Sequence, residues 1–130
     1  MESTSALGIL VLVLLLQLKH AACDGPLQFR WMIDAKSRYG APGGMVHAAF
    51  HAGGSLFALV LFGIGPGLAV ALALADGVIH YQVDYLKELF VRRRGWTARD
   101  SYFWWSLAAD QTVHHVTYIA MAAIVVMMAA

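Results

Sequence analysis

The chain has 130 residues, of which 60% are hydrophobic and 13% are charged, and its formal net charge is +1. A soluble domain carries about 25% charged residues, so the composition excludes an ordinary water-soluble globule and a disordered chain. The small net charge gives no reason to expect a nucleic-acid partner, and the single cysteine excludes an internal disulfide framework. The sequence therefore predicts an integral membrane protein whose first partner is the lipid bilayer.

Four apolar stretches are long enough to cross a bilayer, which requires about 20 residues each. They lie at about residues 5–23, 45–64, 67–90 and 102–128. The first is expected to be a retained helix rather than a signal peptide, because no lysine or arginine precedes it. Since these stretches fill most of the chain, we predict an all-α fold. It is a single transmembrane domain over residues 1–130, with four helices in an antiparallel bundle.

Basic residues are concentrated in two of the connections between these stretches. They are Arg30, Lys36 and Arg38 in the first connection, and Arg92, Arg93, Arg94 and Arg99 in the third. The second connection, at residues 63–67, has no charge. The positive-inside rule places both basic connections in the cytoplasm and both termini outside. Arg92, Arg93 and Arg94 are expected to mark this topology or to contact anionic lipid.

Each predicted span also carries ionisable residues, which are costly in a bilayer and usually mark function. They form pairs four residues apart, a spacing that places both side chains on one helix face. The pairs are His20 and Asp24, His47 and His51, His80 and Asp84, and Asp110 and His114. With the topology above, all of them lie in the cytoplasmic half of the membrane, so a bundle brings them into one layer.

Imidazoles and carboxylates together suit Zn, Mn or Fe, and four-helix bundles build metal sites from facing helices. We therefore predict that these paired residues are metal ligands and that Asp84 and Asp110 also act in catalysis. Lys87 is expected to act with them by binding a substrate phosphate; pairing with Asp84 and reaching the membrane interface are its alternatives. Gln28, Asp76 and Gln111 are expected to orient the ligands through hydrogen bonds.

The same residues resemble those of a family of small bacterial inner-membrane proteins known only as a domain of unknown function. The matching motifs are His20-x3-Asp24-x3-Gln28, Lys36, His47-x3-His51, His80-x3-Asp84-Tyr85-Leu86-Lys87 and Asp110-Gln111-x2-His114, which span nearly the whole chain. The resemblance implies a multi-pass, four-helix domain of the bacterial inner membrane and no established activity. A more distant similarity, at the level of fold, is to membrane-bound proteins predicted to be metal-dependent hydrolases.

These observations favour a metal-dependent membrane hydrolase that acts on a lipid-linked or phosphate-bearing substrate, with a bound metal activating water. A non-haem iron oxygenase is one alternative. A proton or ion path is another, and in so small a bundle it would require an oligomer or a larger complex. The third is a non-catalytic subunit whose His/Asp network is structural. No haem is expected, because histidines four residues apart on one helix crowd a porphyrin.

Overall fold

In the computed structural model, which describes residues 5–129, the chain forms four long helices and one short helix. The helices are α1 (Ala6–Asp24), α2 (Arg30–Ala35), α3 (Pro42–Leu61), α4 (Pro66–Arg94) and α5 (Ser101–Ala129). No strand occurs among residues 5–129. The four long helices are each long and apolar enough to cross a membrane, which confirms the predicted all-α fold. The ends of the predicted domain, residues 1–4 and 130, lie outside the described residues.

Local sequence explains where the long helices begin and end. The side chain of Ser5 accepts a hydrogen bond from the backbone N–H of Gly8 at the start of α1. Proline is favoured in the first turn of a helix, so α3 begins at Pro42, earlier than the predicted residue 45. Gly63, with φ 87°, lies in the turn after α3, which ends before the predicted residue 64. Gly95, with φ 66°, ends α4 beyond its predicted end at residue 90.

An apolar core fills one half of the bundle and also shows the direction of the helices. Its members are Leu12, Leu16, Ala58, Leu59, Ala69, Leu72, Tyr118, Met121, Ala122 and Val125. Residues from the first half of α1 thus pack with the end of α3, the beginning of α4 and the second half of α5. Neighbouring long helices therefore run antiparallel. The other half of the bundle holds the polar residues.

Two glycines permit close approach of the helices around the polar half. A Cβ at Gly77 of α4 would lie 2.9 Å from the Cβ of Ala52 on α3. A Cβ at Gly43 of α3 would lie 2.7 Å from the Cβ of Ala35, at the end of α2. Because both distances are too short for a real side chain, glycine at these positions brings α4 against α3 and the end of α2 against α3.

Candidate metal centre

The four predicted His/Asp pairs lie together in the polar half of the bundle, one pair from each long helix. Seven of their eight side chains are buried. The exception is Asp24, in the last turn of α1, whose side chain is 21% exposed. The spacing of four residues therefore does place both members of each pair on the inner face of its helix.

Three imidazoles surround the carboxylate of Asp24. The Nε2 atoms of His47 and His51 lie 3.1 and 3.0 Å from Oδ1 of Asp24, and Nε2 of His80 lies 3.8 Å from the same oxygen. Nε2 of His47 also faces Nε2 of His80 at 3.1 Å. Zinc bonds of about 2.0–2.2 Å in a tetrahedral site require ligand atoms about 3.3 Å apart. These four distances, 3.0–3.8 Å, are close to that spacing, and all four atoms lie within 4.8 Å of one another.

A second group shares His80 and consists of His80, Asp84 and His114. The Nε2 atom of His80 lies 3.3 Å from Asp84 Oδ2, and Nε2 of His114 lies 3.6 Å from Asp84 Oδ1. Asp110 extends this group, with Oδ1 3.2 Å from Nε2 of His114. These last two atoms are buried and make no hydrogen bond with each other or with any other described group. Such unpartnered electron-pair donors fit a cation.

In the described part of the chain, Lys36 is the lysine that pairs with a carboxylate of the cluster formed by the four His/Asp pairs. Its side chain is buried, and Nζ lies 2.6 Å from Oδ2 of Asp84. Among the described residues, the cluster then contains three carboxylates, those of Asp24, Asp84 and Asp110, and the one ammonium of Lys36. With neutral imidazoles, its net charge is −2, which one divalent cation would cancel.

The stacking of three imidazoles limits how many of them can be protonated at the same time. The rings of His51 and His80 stack with centroids 3.4 Å apart, and those of His80 and His114 stack at 4.0 Å. Two imidazolium charges about 3.4 Å apart repel by about 5 kcal/mol at an effective dielectric constant of about 20. Charging two stacked neighbours at once is therefore costly, whereas a divalent ion would balance the carboxylates with every ring neutral.

Asp76, predicted to orient the ligands, reaches the cluster only through Lys19. Nζ of Lys19 lies 2.6 Å from Asp76 Oδ2, which also accepts a hydrogen bond from the Ser55 hydroxyl at 2.7 Å. The same ammonium donates to the backbone carbonyl of His51 at 3.3 Å and lies 3.4 Å from its Nδ1. Sequence reasoning missed Lys19. The available signal was a lysine inside the first apolar stretch and an aspartate near the middle of the third, because each requires a partner in a membrane.

Gln111 bridges His20 and two of the carboxylates. Its Oε1 accepts a hydrogen bond from Nε2 of His20 at 3.0 Å, and its Nε2 donates to Asp24 at 3.4 Å and to Asp110 at 3.3 Å. The other ring nitrogen of His20 lies 2.8 Å from the hydroxyl of Tyr118, a residue that sequence reasoning did not single out. Both nitrogens of His20 are thus engaged, and neither group of possible ligands among residues 5–129 includes it.

The remaining predicted residues lie at the edges of the cluster. The side chain of Gln28 donates to the backbone carbonyl of Asp24 at 2.7 Å, so it acts on the end of α1 rather than on a ligand atom. Lys87 pairs with the neighbouring Glu88 at 2.7 Å. The expectation that Lys87 could pair with Asp84 is not met. Lys36 occupies that position because the end of α2 packs against α3.

The chain belongs to the family described as protein of unknown function DUF3307, which matches residues 10–130. No curated protein and no solved structure matches the chain. The family description carries no activity. The chemistry of the protein must therefore be argued from the geometry of the cluster.

Proposed function

We propose that this membrane protein binds one divalent metal ion, Zn, Mn or Fe, between its four long helices and uses it for hydrolysis. The observation that carries the proposal is the spacing of the four atoms contributed by Asp24, His47, His51 and His80, which lie within 4.8 Å of one another. A tetrahedral set of nitrogen and oxygen ligands favours zinc. The net charge of −2 supports one ion rather than two.

The hydrolytic role rests on the group that shares His80. Three of the four ligand groups would suffice to hold a zinc ion and would leave one position open for a water molecule, which the ion would activate while it polarises the scissile bond. Asp84 and His114 hold the attacking water beside the centre, and Asp110 accepts its proton. The water oxygen bonds to the phosphorus or carbonyl carbon, the bond to the leaving oxygen breaks, and Asp110 passes the proton that it accepted to that oxygen. Lys87, close to Asp110, binds a phosphate of the substrate.

We further propose that the two basic connections face the cytoplasm, with both termini on the outer side of a bacterial inner membrane. The exposed side chains of Arg92, Arg93 and Arg94, in the last turn of α4, then lie where anionic headgroups attract them. The candidate centre lies in the same half of the membrane, so its substrate arrives from the cytoplasm or from the inner leaflet.

Elemental analysis tests the metal proposal. The full chain is purified in mild detergent without chelator or histidine tag, together with the variants His47→Ala, His51→Ala and His80→Ala. The matched control is His115→Ala, which removes a neighbouring histidine that belongs to neither ligand group among the described residues. We expect about one metal ion per chain, retained in the control and lost in the other variants. Folded wild-type protein that takes up no metal, or equal metal in all variants, would contradict the proposal.

A proton path is the second candidate function, and one specific observation favours it. Polar side chains lead from Asp24 through the ring of His51, whose Nδ1 lies 3.4 Å from Nζ of Lys19, to Asp76 and Ser55, deeper in the bundle. Proton flux into vesicles that contain the metal-free chain, abolished by Asp76→Asn, would support this candidate. Flux equal to that of protein-free vesicles would exclude it.

A further inference from the structure

A groove between α4 and α5 borders the His/Asp cluster at Asp110, on the side of the bundle. Its volume is about 410 Å³. Most of its wall is apolar, formed by Val83, Leu86, Phe90, Ala109 and Val113. Since both helices are long and apolar enough to span the membrane, this wall faces the acyl chains of the bilayer. The groove therefore suits a hydrocarbon chain better than a water-soluble molecule.

The groove also contains two groups that connect it to the chemistry of the site. One is Asp110, whose carboxylate lies 3.2 Å from Nε2 of His114. The other is Lys87, which is paired with Glu88 and retains a 16% exposed side chain. A molecule in this groove therefore lies beside Asp110, whose side chain is 3% exposed, without a passage through the apolar core.

Positive charge is concentrated on the helix that forms one wall. Arg92, Arg93 and Arg94 follow Lys87 within two helical turns and are exposed, which places them about 10 Å or less along the helix axis. Each basic residue near a bilayer surface attracts anionic lipid by about 1 kcal/mol. An anionic phospholipid whose headgroup lies at this end of α4 and whose acyl chains lie along the apolar wall matches both the positive charge and the apolar surface of the groove.

We propose that the groove between α4 and α5 binds a phospholipid with an anionic headgroup, which reaches the centre sideways from the bilayer. This inference rests on the proposed function and names its substrate class. The acyl chain lies along the apolar wall, the phosphate lies near Lys87, and the ester group to be hydrolysed lies beside Asp110.

A second groove of similar size provides the matched control. It lies between α3 and α4, has a volume of about 440 Å³, and is lined by residues that include Ala49, Ala52 and Val78. No lysine, arginine, histidine or carboxylate lines it among the described residues. It offers lipid chains a comparable apolar surface without the charges, so it measures nonspecific contact with the bilayer.

Photo-crosslinking tests the inference. The full chain is reconstituted in vesicles with a photoactivatable phosphatidylglycerol or phosphatidylcholine, and the labelled peptides are identified by mass spectrometry. We expect phosphatidylglycerol to label the walls of the α4/α5 groove in preference to phosphatidylcholine. Ala109→Phe, which fills this groove, should abolish that preferential labelling, whereas Ala49→Phe, in the control groove, should leave it unchanged. Lys87→Gln should lower the preference for phosphatidylglycerol about fivefold.

Competition with unlabelled lipid provides the same measurement on the wild-type chain, in case a variant does not fold. The inference would be overturned if unlabelled phosphatidylglycerol and unlabelled phosphatidylcholine reduced the labelling of the α4/α5 groove equally well. Equal labelling of both grooves would overturn it too. Metal content is measured in the same samples. If the chain contains metal but phosphatidylglycerol does not label the groove preferentially, only the lipid inference is refuted. If the groove is labelled preferentially but the chain takes up no metal, the proposed hydrolysis is refuted and the groove remains a lipid-binding site.

Discussion

The ion pair of Lys19 and Asp76 offers a test of the structure that does not depend on the metal. Its Nζ and Oδ2 atoms are 2.6 Å apart, and the two side chains are only 8% and 1% exposed. Removing one partner of a buried pair leaves an uncompensated charge and costs about 3–5 kcal/mol. We therefore expect either Lys19→Met or Asp76→Leu to lower the free energy of unfolding by that amount.

The double variant should behave quite differently from either single variant. Replacing a whole buried pair by apolar side chains of similar volume is often neutral or stabilising. Lys19→Met combined with Asp76→Leu is therefore expected to lie within about 1 kcal/mol of the wild type, although the Ser55 hydroxyl loses its acceptor. The coupling energy of this double-mutant cycle, the sum of the two single losses less the loss in the double variant, is then about 5 kcal/mol or more.

The free energy of unfolding of all four proteins is measured by reversible unfolding in mixed micelles. The fraction of denaturing detergent is increased, and the loss of helicity is the signal. Metal content serves as a control, because neither residue belongs to a group of possible ligands among residues 5–129. A double variant whose loss of stability equals the sum of the two single losses would refute the reasoning, since additivity means that the charges do not interact.

Three further predictions follow from the cluster and from the packing around it. Lys36→Met leaves Asp84 without its ammonium partner at 2.6 Å. In thermal unfolding, the metal-free variant should therefore have a lower Tm than the metal-free wild type, and added zinc should raise the Tm of the variant by more. Acidification from about pH 8 to about pH 5 should weaken zinc binding, because protons compete for imidazole nitrogens; titration calorimetry in detergent that shows constant affinity would contradict this. Gly77→Ala should lower the free energy of unfolding by about 1–3 kcal/mol, because the new Cβ is overpacked against Ala52. Gly53→Ala, with nothing within 4 Å of the new Cβ, should raise it by about 0.5–1 kcal/mol in the mixed-micelle assay.

The helices and the inward-facing pairs could be predicted from the sequence because both depend on local periodicity. Hydrophobic length identifies a span, and a spacing of four residues identifies one helix face. The partner of each charge could not be predicted this way, since it depends on how helices are rotated and packed against each other. Lys87 follows Asp84 at helical spacing and looked like a possible partner, yet Lys36 contacts Asp84 from another element. That contact requires Gly43, whose missing side chain lets α2 approach α3.

The two polar groupings in the bundle differ in how their charges are compensated, and this difference bears on function. Lys19 and Asp76 compensate each other, as expected of groups that only join helices. The cluster around His80 instead has three carboxylates against the single ammonium of Lys36. Interhelical hydrogen bonds in membranes contribute only about 0.6 kcal/mol on average to stability. This gain is small compared with the cost of removing so many carboxylates from water. The cluster is therefore better explained as a set of ligands that a cation completes than as a network that serves only to hold the bundle together.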